Sequence, residues 1–108
     1  MYIYNVTSNV SDAVHDTWIV WMKEEHIPQV LSVGTFYQAK LTRVLVEEDM
    51  GGKTYSVQYR AKTREALDTY YSEFAELLRT EAFKKFGENV LAFRTELEII
   101  DEYSVTKQ

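Results

Sequence analysis

A tight hairpin in the middle of the chain limits the available folds more than any other feature. Residues 35–48 and 54–61 alternate apolar and polar side chains as strands do, and Gly51-Gly52 lies between them. Paired glycines supply the positive φ angles that a short antiparallel turn requires. A helical stretch and then a strand-like run lie on each side of this hairpin. The resulting order, βαββαβ, predicts an α+β, ferredoxin-like fold with a four-stranded antiparallel sheet and both helices on one face.

The first half of the chain contains a short strand and an amphipathic helix. Residues 2–7 are rich in Tyr, Ile, Val and Thr and are predicted to form the first strand. Residues 13–25 have helical spacing, with Ser11 or Asp12 as the expected N-cap. We expect this helix not to run smoothly past Pro28, because proline has no backbone N–H and restricts the residue before it. A short second turn, Pro28 to Leu31 with proline at its first position, is expected to lead to Gly34.

The second helix is predicted to begin after Thr63, a good N-cap, and to end at Gly87. Its apolar stripe loses phase near Thr80, which predicts a bend or a separate short helix from about residue 81. The stripe itself consists of Ala66, Leu67, Tyr70, Tyr71, Phe74, Leu77 and Leu78.

The last strand, residues 90–103, has one apolar face and one mixed face, and residues 104–108 are expected to fray. We expect the side of the sheet away from the helices to mix charged, amide and aliphatic groups. Such a face suits neither solvent nor a core, so two sheets are expected to pair across a two-fold axis as a homodimer. The residues predicted on it are Val44, Val46, Gln58, Arg60, Arg94 and Glu96.

Composition bounds the class of protein. With 108 residues, 45% of them apolar, the chain is expected to form one domain over residues 1–108. It has no cysteine, which excludes disulfides and thiolate chemistry and is typical of a reduced compartment. Its net charge of −5 argues against a nucleic-acid partner, and no apolar stretch is long enough to span a bilayer. We therefore expect a cytoplasmic protein without a membrane or nucleic-acid partner.

Three runs of the sequence resemble a known family: TWIVWMKEEHIPQVLSVGTF, TYSVQYRAKTREALDTYY and FGENVLAFRTELEI. Over nearly its whole length the chain resembles an uncharacterised domain-of-unknown-function family of short bacterial proteins in the dimeric α/β-barrel superfamily. The resemblance implies a homodimer whose sheets face each other. The wider superfamily includes antibiotic-biosynthesis monooxygenases, muconolactone-type isomerases, haem-degrading oxygenases and stress-response barrel proteins. These do not share one active site, so the resemblance implies no particular activity.

His26 is the main candidate for chemistry, as a general base, a proton shuttle or a ligand-orienting donor. We expect it at the C-terminal end of the first helix, where the negative end of the helix dipole tends to raise the pKa of an imidazole. The alternative is a structural role, in which the ring caps the helix end or bonds a backbone carbonyl. His15 lies eleven residues away, about 16 Å along a helix, too far to share a metal ion with His26. We predict no metal and no cofactor.

A binding pocket is predicted between the first helix and the sheet. Trp18, Met22 and His26 are expected to line it for a small, partly apolar ligand, with Arg43 or Tyr59 as polar contacts. The alternative for the aromatic stripe is ordinary core packing. The mid-strand arginines Arg43, Arg60 and Arg94 are expected to pair with carboxylates, for example of Glu96, Glu98 or the partner copy, and the alternative is that they anchor an acidic ligand.

Three functions stay open at this level. The first is a homodimer that binds a small ligand. The second is a cofactor-independent monooxygenase or isomerase with His26 as general base, and the third is a structural or protein-interaction dimer without catalysis.

Overall fold

The computed structural model describes residues 1–49 and 51–106. Within this part of the chain, four strands form one antiparallel sheet in the order β2-β3-β1-β4. Two helical segments connect them in the order βαββαβ. This is the predicted ferredoxin-like α+β arrangement. The strands are β1 (Tyr2–Val10), β2 (Gln38–Arg43), β3 (Lys53–Ala61) and β4 (Val90–Glu98).

Both edge strands are shorter than predicted. β2 pairs with β3 only over Gln38–Arg43, and Leu45 beyond it is exposed. β4 ends at Glu98, although the Ile99 N–H still donates to the Met1 carbonyl oxygen at 2.9 Å. Alternation alone therefore overestimated the length of the edge strands, because a strand ends where its regular pairing with the neighbouring strand ends, and the side-chain pattern does not show that point. β1, in the centre, is longer than predicted and reaches Val10.

The hairpin turn follows its glycines. Gly51 and Gly52 have φ angles of 81° and 77°, which confirms the predicted left-handed backbone. A Cβ added at Gly52 would lie 2.6 Å from the Val10 carbonyl oxygen, so the turn also needs glycine there for space. Met50 lies outside the described residues, as do residues 107–108 of the predicted frayed tail.

The first helical segment does not run smoothly into Pro28: a π turn interrupts it, and a short helix then begins at Ile27, one residue before the predicted second turn. The segment consists of α1 (His15–Trp21), a π turn (Met22–His26) and α2 (Ile27–Ser32). In the π turn, the Ile27 N–H donates to the carbonyl oxygen of Met22, five residues back instead of four. A proline ring normally clashes with the carbonyl four residues before it, and the wider turn displaces that carbonyl. The segment begins later than predicted, at His15.

The second helical segment also contains a π turn. It consists of α3 (Arg64–Tyr70), a π turn (Tyr71–Ala75) and α4 (Glu76–Phe86), and Gly87 ends it with a φ of 56°. The Thr63 hydroxyl accepts a hydrogen bond from the Ala66 N–H at 3.1 Å, which confirms the N-cap.

The predicted break near residue 81 was wrong, because the irregularity lies ten residues earlier. The extra residue in the π turn lengthens the step between buried side chains to five, from Tyr70 to Ala75. Leu78 then becomes buried, whereas Leu77, assigned to the apolar stripe, is 62% exposed. The stripe therefore changes phase inside the π turn and continues unbroken to Phe86.

Both helical segments pack on the same face of the sheet, and the core lies between them. Val6 in β1 is opposite Val57 in β3 and Arg94 in β4, so these three side chains point to the same side. That is the helix side, where Val57 is buried in the core. Arg94 and Glu96 therefore do not lie on the open face, and the prediction that placed them there was wrong.

The open face of the sheet instead carries the apolar residues of β4. Leu91 and Phe93 alternate with Arg94 and point away from the helices, and Phe93 is 70% exposed. We call this surface, with Leu91, Phe93 and Leu97, the open sheet face. In residues 1–49 and 51–106, no helix is long and apolar enough to cross a membrane.

Candidate functional site

A cavity lies between the first helical segment, α4 and the helix side of the sheet. Its inner part, the inner chamber, has a volume of about 80 Å³. A larger depression of about 300 Å³, the outer groove, adjoins it and is bordered by Phe83, Phe86 and Gly87. The two share Trp18, Arg79, Ala82, Val90, Ala92 and Arg94 as lining residues. The inner chamber therefore opens toward the β4 edge of the sheet.

Four of the five predicted site residues line the inner chamber. Trp18, Met22 and His26 are spaced four residues apart, and Tyr59 reaches the chamber from β3. The spacing places the three helical side chains on one face even though the helix changes to a π turn at Met22. Arg43, the fifth, is exposed at the end of β2, opposite Tyr55 and outside the cavity. β2 is the edge strand farthest from β4, so its side chains do not reach the side on which the cavity opens.

His26 is a mostly buried imidazole in the wall of the chamber. Its ring stacks on Trp21 with 4.6 Å between ring centroids and an interplanar angle of 22°. Its Nδ1 atom is buried, and no described residue offers it a hydrogen bond. Any partner for this nitrogen must therefore be supplied by a ligand or by solvent.

The direction of the His26 pKa shift is opposite to the prediction. Burial lowers the pKa of His26 to about 4, with Glu81 raising it and Arg94 lowering it by smaller amounts. The predicted increase assumed a helix C-terminus, but His26 has helical backbone angles and the helix continues beyond it. Desolvation therefore outweighs the dipole, and the imidazole is neutral at pH 7.

Tyr59 belongs to an aromatic cluster behind the chamber. Its ring centroid lies 6.0 Å from that of Tyr4 and 5.4 Å from that of Phe36. Burial raises the pKa of Tyr59 far above its ordinary value and raises that of Tyr70 to about 12. These phenols stay protonated at neutral pH, so the chamber offers neutral hydrogen-bonding groups on apolar walls.

Two arginines border both the inner chamber and the outer groove. Arg79, on α4, donates from Nη2 to the Tyr4 hydroxyl at 3.0 Å. Arg94, on β4, has no carboxylate within 4 Å in the described residues. Glu96, a predicted partner for a mid-strand arginine, instead contacts Arg64 at 2.5 Å. The sequence reasoning named Arg94 as a possible anchor for an acidic ligand without placing it in the pocket, and it did not single out Arg79. For Arg79, its position between two α4 residues that face the sheet, Leu78 and Ala82, was a usable signal.

A second polar cluster, also missed from the sequence, lies near the start of α1. His15 Nε2 is 2.6 Å from the Tyr55 hydroxyl, and His15 Nδ1 is 2.9 Å from Asp16 Oδ1. The rings of His15 and Tyr55 stack with centroids 5.6 Å apart. In the described part of the chain, no three His, Asp or Glu side chains come together as a metal site. The hydrogen bond between His15 and Tyr55 joins α1 to β3 and gives a buried tyrosine hydroxyl its partner.

The fold is shared with several solved structures. The chain is similar to a dimeric ferredoxin-like protein from an uncultured marine organism, with a TM-score of 0.70, 12% identity, and coverage of 94% of this chain and 97% of that one. It is also similar to a protein of antibiotic-biosynthesis-monooxygenase type from Deinococcus radiodurans, with a TM-score of 0.69, 15% identity, and coverage of 99% and 100%. An EthD-family protein from Bacillus halodurans matches with a TM-score of 0.68, 16% identity, and coverage of 93% and 100%. At such low identities these likenesses confirm the ferredoxin-like fold.

Sequence comparison identifies the family. No curated protein sequence matches the chain. The sequence model of a domain of unknown function, DUF4286, matches residues 1–100, which include every strand and both helical segments. This confirms the resemblance to an uncharacterised family of short proteins with this fold. The chain therefore belongs to the DUF4286 family.

Proposed function

We propose that the protein binds a small, partly apolar ligand in the inner chamber, with neutral His26 as the group that orients it. The observation that supports this most is the buried Nδ1 of His26, which has no hydrogen-bond partner among the described residues. Leaving such an atom unpaired costs about 1–3 kcal/mol. A ligand hydroxyl or carbonyl group near this nitrogen would recover part of that cost.

The size and lining of the cavity limit the ligand. The inner chamber, at about 80 Å³, is smaller than a dry cavity of ~150 Å³ that accommodates a benzene ring. It therefore suits one end of a small molecule, and the outer groove has room for the rest. If the protein were a purely structural dimer, no pocket of ligand size would be expected. The presence of both cavities therefore favours the binding of a ligand.

A pair of matched variants tests the proposal. Ala92 on β4 and Ala39 on β2 both lie on the helix side of an edge strand, but only Ala92 lines the cavity. We expect phenol, a small apolar probe with one hydroxyl, to show saturation-transfer NMR signals with the unchanged protein and with Ala39→Leu. Ala92→Leu fills the passage between chamber and groove and should remove those signals. Equal signals in all three proteins, or none in any, would refute the proposal.

We also propose that two copies pair through the open sheet face. Leu91, Phe93 and Leu97 form an exposed apolar strip there, in a protein whose other large apolar side chains mostly contribute to the core. Two of the structures with this fold are described as dimeric ferredoxin-like proteins. Pairing the two sheets would remove the strip from water.

A second candidate function is catalysis without a cofactor, as a monooxygenase or an isomerase with His26 as general base. The neutral imidazole with a free nitrogen favours it, as does the likeness to a protein of monooxygenase type. A pKa of about 4 makes His26 a weak base at pH 7, so this function requires a bound substrate that raises the pKa. If catalysis occurs, His26→Gln should abolish turnover while the protein stays folded and dimeric.

A further inference from the structure

Two arginines place positive charge at the cavity. The chain has a net charge of −5. Of the other three arginines, Arg60 pairs with Glu102 and Arg64 with Asp68 and Glu96, while Arg43 is exposed away from the cavity with no carboxylate within 4 Å in the described residues. Arg79 and Arg94 both border the cavity and lie within 4 Å of no carboxylate in residues 1–49 and 51–106. Two unneutralised guanidinium groups therefore lie beside an otherwise largely apolar space.

The acidic residue that acts on His26 does not pair with either arginine. Glu81 affects His26 electrostatically, but its carboxylate accepts a hydrogen bond from Gln29 at 3.3 Å, and it lines neither cavity. Arg79 donates to the neutral hydroxyl of Tyr4, which leaves its positive charge unbalanced. Guanidinium groups bind carboxylates in a planar, two-point geometry that neutral groups do not match.

We infer that the ligand is a small organic acid whose carboxylate binds Arg94 and Arg79 at the passage between the inner chamber and the outer groove. Its apolar body lies against Trp18 and Met22, and a hydroxyl or carbonyl group at its other end faces His26. This inference rests on the proposed ligand site and adds the chemical class of the ligand. Arg79 and Arg94 are both exposed, so the preference rests on the two-point geometry of the guanidinium groups and not on a low local dielectric constant.

Two isosteric probes test the class of ligand. 4-Hydroxybenzoate and 4-hydroxybenzamide have the same shape and the same hydroxyl, but only the first carries a carboxylate. Titration followed by tryptophan fluorescence reports on Trp18 and Trp21, which both line the chamber. We expect the acid to bind at least about tenfold more tightly than the amide, which corresponds to about 1.4 kcal/mol.

Variants assign the preference to the arginines at the cavity. Arg94→Gln should bring the affinity for the acid down to that for the amide, and Arg94→Lys should restore part of it. Arg43→Gln, which removes an exposed arginine outside the cavity, should change neither affinity. As a second readout, NMR should show that the acid raises the pKa of His26, because a carboxylate at Arg94 offsets the arginine's lowering effect.

The outcomes separate this inference from the proposed function. Equal binding of acid and amide, with both lost in Ala92→Leu, would overturn the acid preference and leave the ligand site in place. An acid preference that persists unchanged in Arg94→Gln would also overturn it. If neither probe binds the unchanged protein and phenol does not bind either, both proposals fail.

Discussion

His26 makes the stability of the fold depend on pH, and one substitution isolates its effect. Burial holds the pKa of folded His26 at about 4, against 6.5 for an imidazole in water. In the unfolded chain the ring is hydrated and titrates near the ordinary value. Below that value the unfolded chain therefore binds a proton that the folded chain does not bind, which lowers the free energy of unfolding.

The size of this effect follows from the difference between the two pKa values. The contribution of His26 to stability is fully present above pH 6.5, is lost as the pH falls from 6.5 to about 4, and is constant below that. Because one pKa unit corresponds to about 1.4 kcal/mol, the whole loss is about 3 kcal/mol. That is a large part of a typical domain stability of about 5–15 kcal/mol.

Urea unfolding of the unchanged protein and of His26→Gln measures this contribution. Glutamine does not titrate, so the difference between the two proteins should shrink by about 3 kcal/mol between about pH 7.5 and pH 4. The titration of carboxylates changes the unfolding free energy of both proteins equally, so it cancels in the difference. The protein concentration is kept fixed, because self-association changes the apparent stability. In His15→Gln, the matched control, the His26 contribution should remain.

A difference between the unchanged protein and His26→Gln that does not vary with pH would refute this account of His26. So would an NMR titration that finds the pKa of His26 in the folded protein near 6.5. Either result would mean that water reaches the imidazole, and that the ring is not held between Trp21 and the chamber.

Two further predictions concern the open sheet face and the hairpin. Phe93→Glu places a charge in the middle of the open sheet face and should convert the dimer to a monomer in analytical ultracentrifugation. Phe83→Glu, at a similarly exposed phenylalanine on α4, should leave the dimer intact. If the unchanged protein is already a monomer, the proposed pairing is wrong. Gly52→Ala should lower the urea-unfolding free energy by at least about 1 kcal/mol more than Gly51→Ala, because only the first Cβ meets the Val10 carbonyl oxygen. Equal losses would show that backbone strain alone decides the cost.

The topology was predictable because two boundaries in the middle of the chain had local chemical causes. Gly51-Gly52 predicted the central hairpin, and Thr63 predicted the start of the second helical segment; both appear in the structure. The two π turns were not predictable in the same way. Pro28 was expected to interrupt the helix and to start a short second turn, and it lies in the first turn of a short helix, but nothing in the sequence predicted the π turn that joins the two helices. The π turn at Tyr71–Ala75 shifts the apolar stripe by one residue, and a fixed helical period of 3.6 residues cannot predict such a shift.

The candidate site was only partly predictable, again for physical reasons. Helical spacing found Trp18, Met22 and His26, and strand alternation found Tyr59. Arg94 was assigned to the wrong face, because the apolar residues of β4 were expected to point toward the helices. They point to the open sheet face instead, so the usual rule that the apolar side of a strand faces its own core does not hold for β4.

The most direct test of the ligand site is a crystal structure of the protein soaked with phenol. The proposal predicts a bound phenol that extends from the outer groove into the inner chamber, with its ring against Trp18 and its hydroxyl within about 3.2 Å of His26 Nδ1. The hydroxyl would then be the partner that this buried nitrogen lacks among the described residues. A structure in which phenol binds only elsewhere, or in which the protein's own side chains fill the chamber and contact His26 Nδ1, would contradict the central claim.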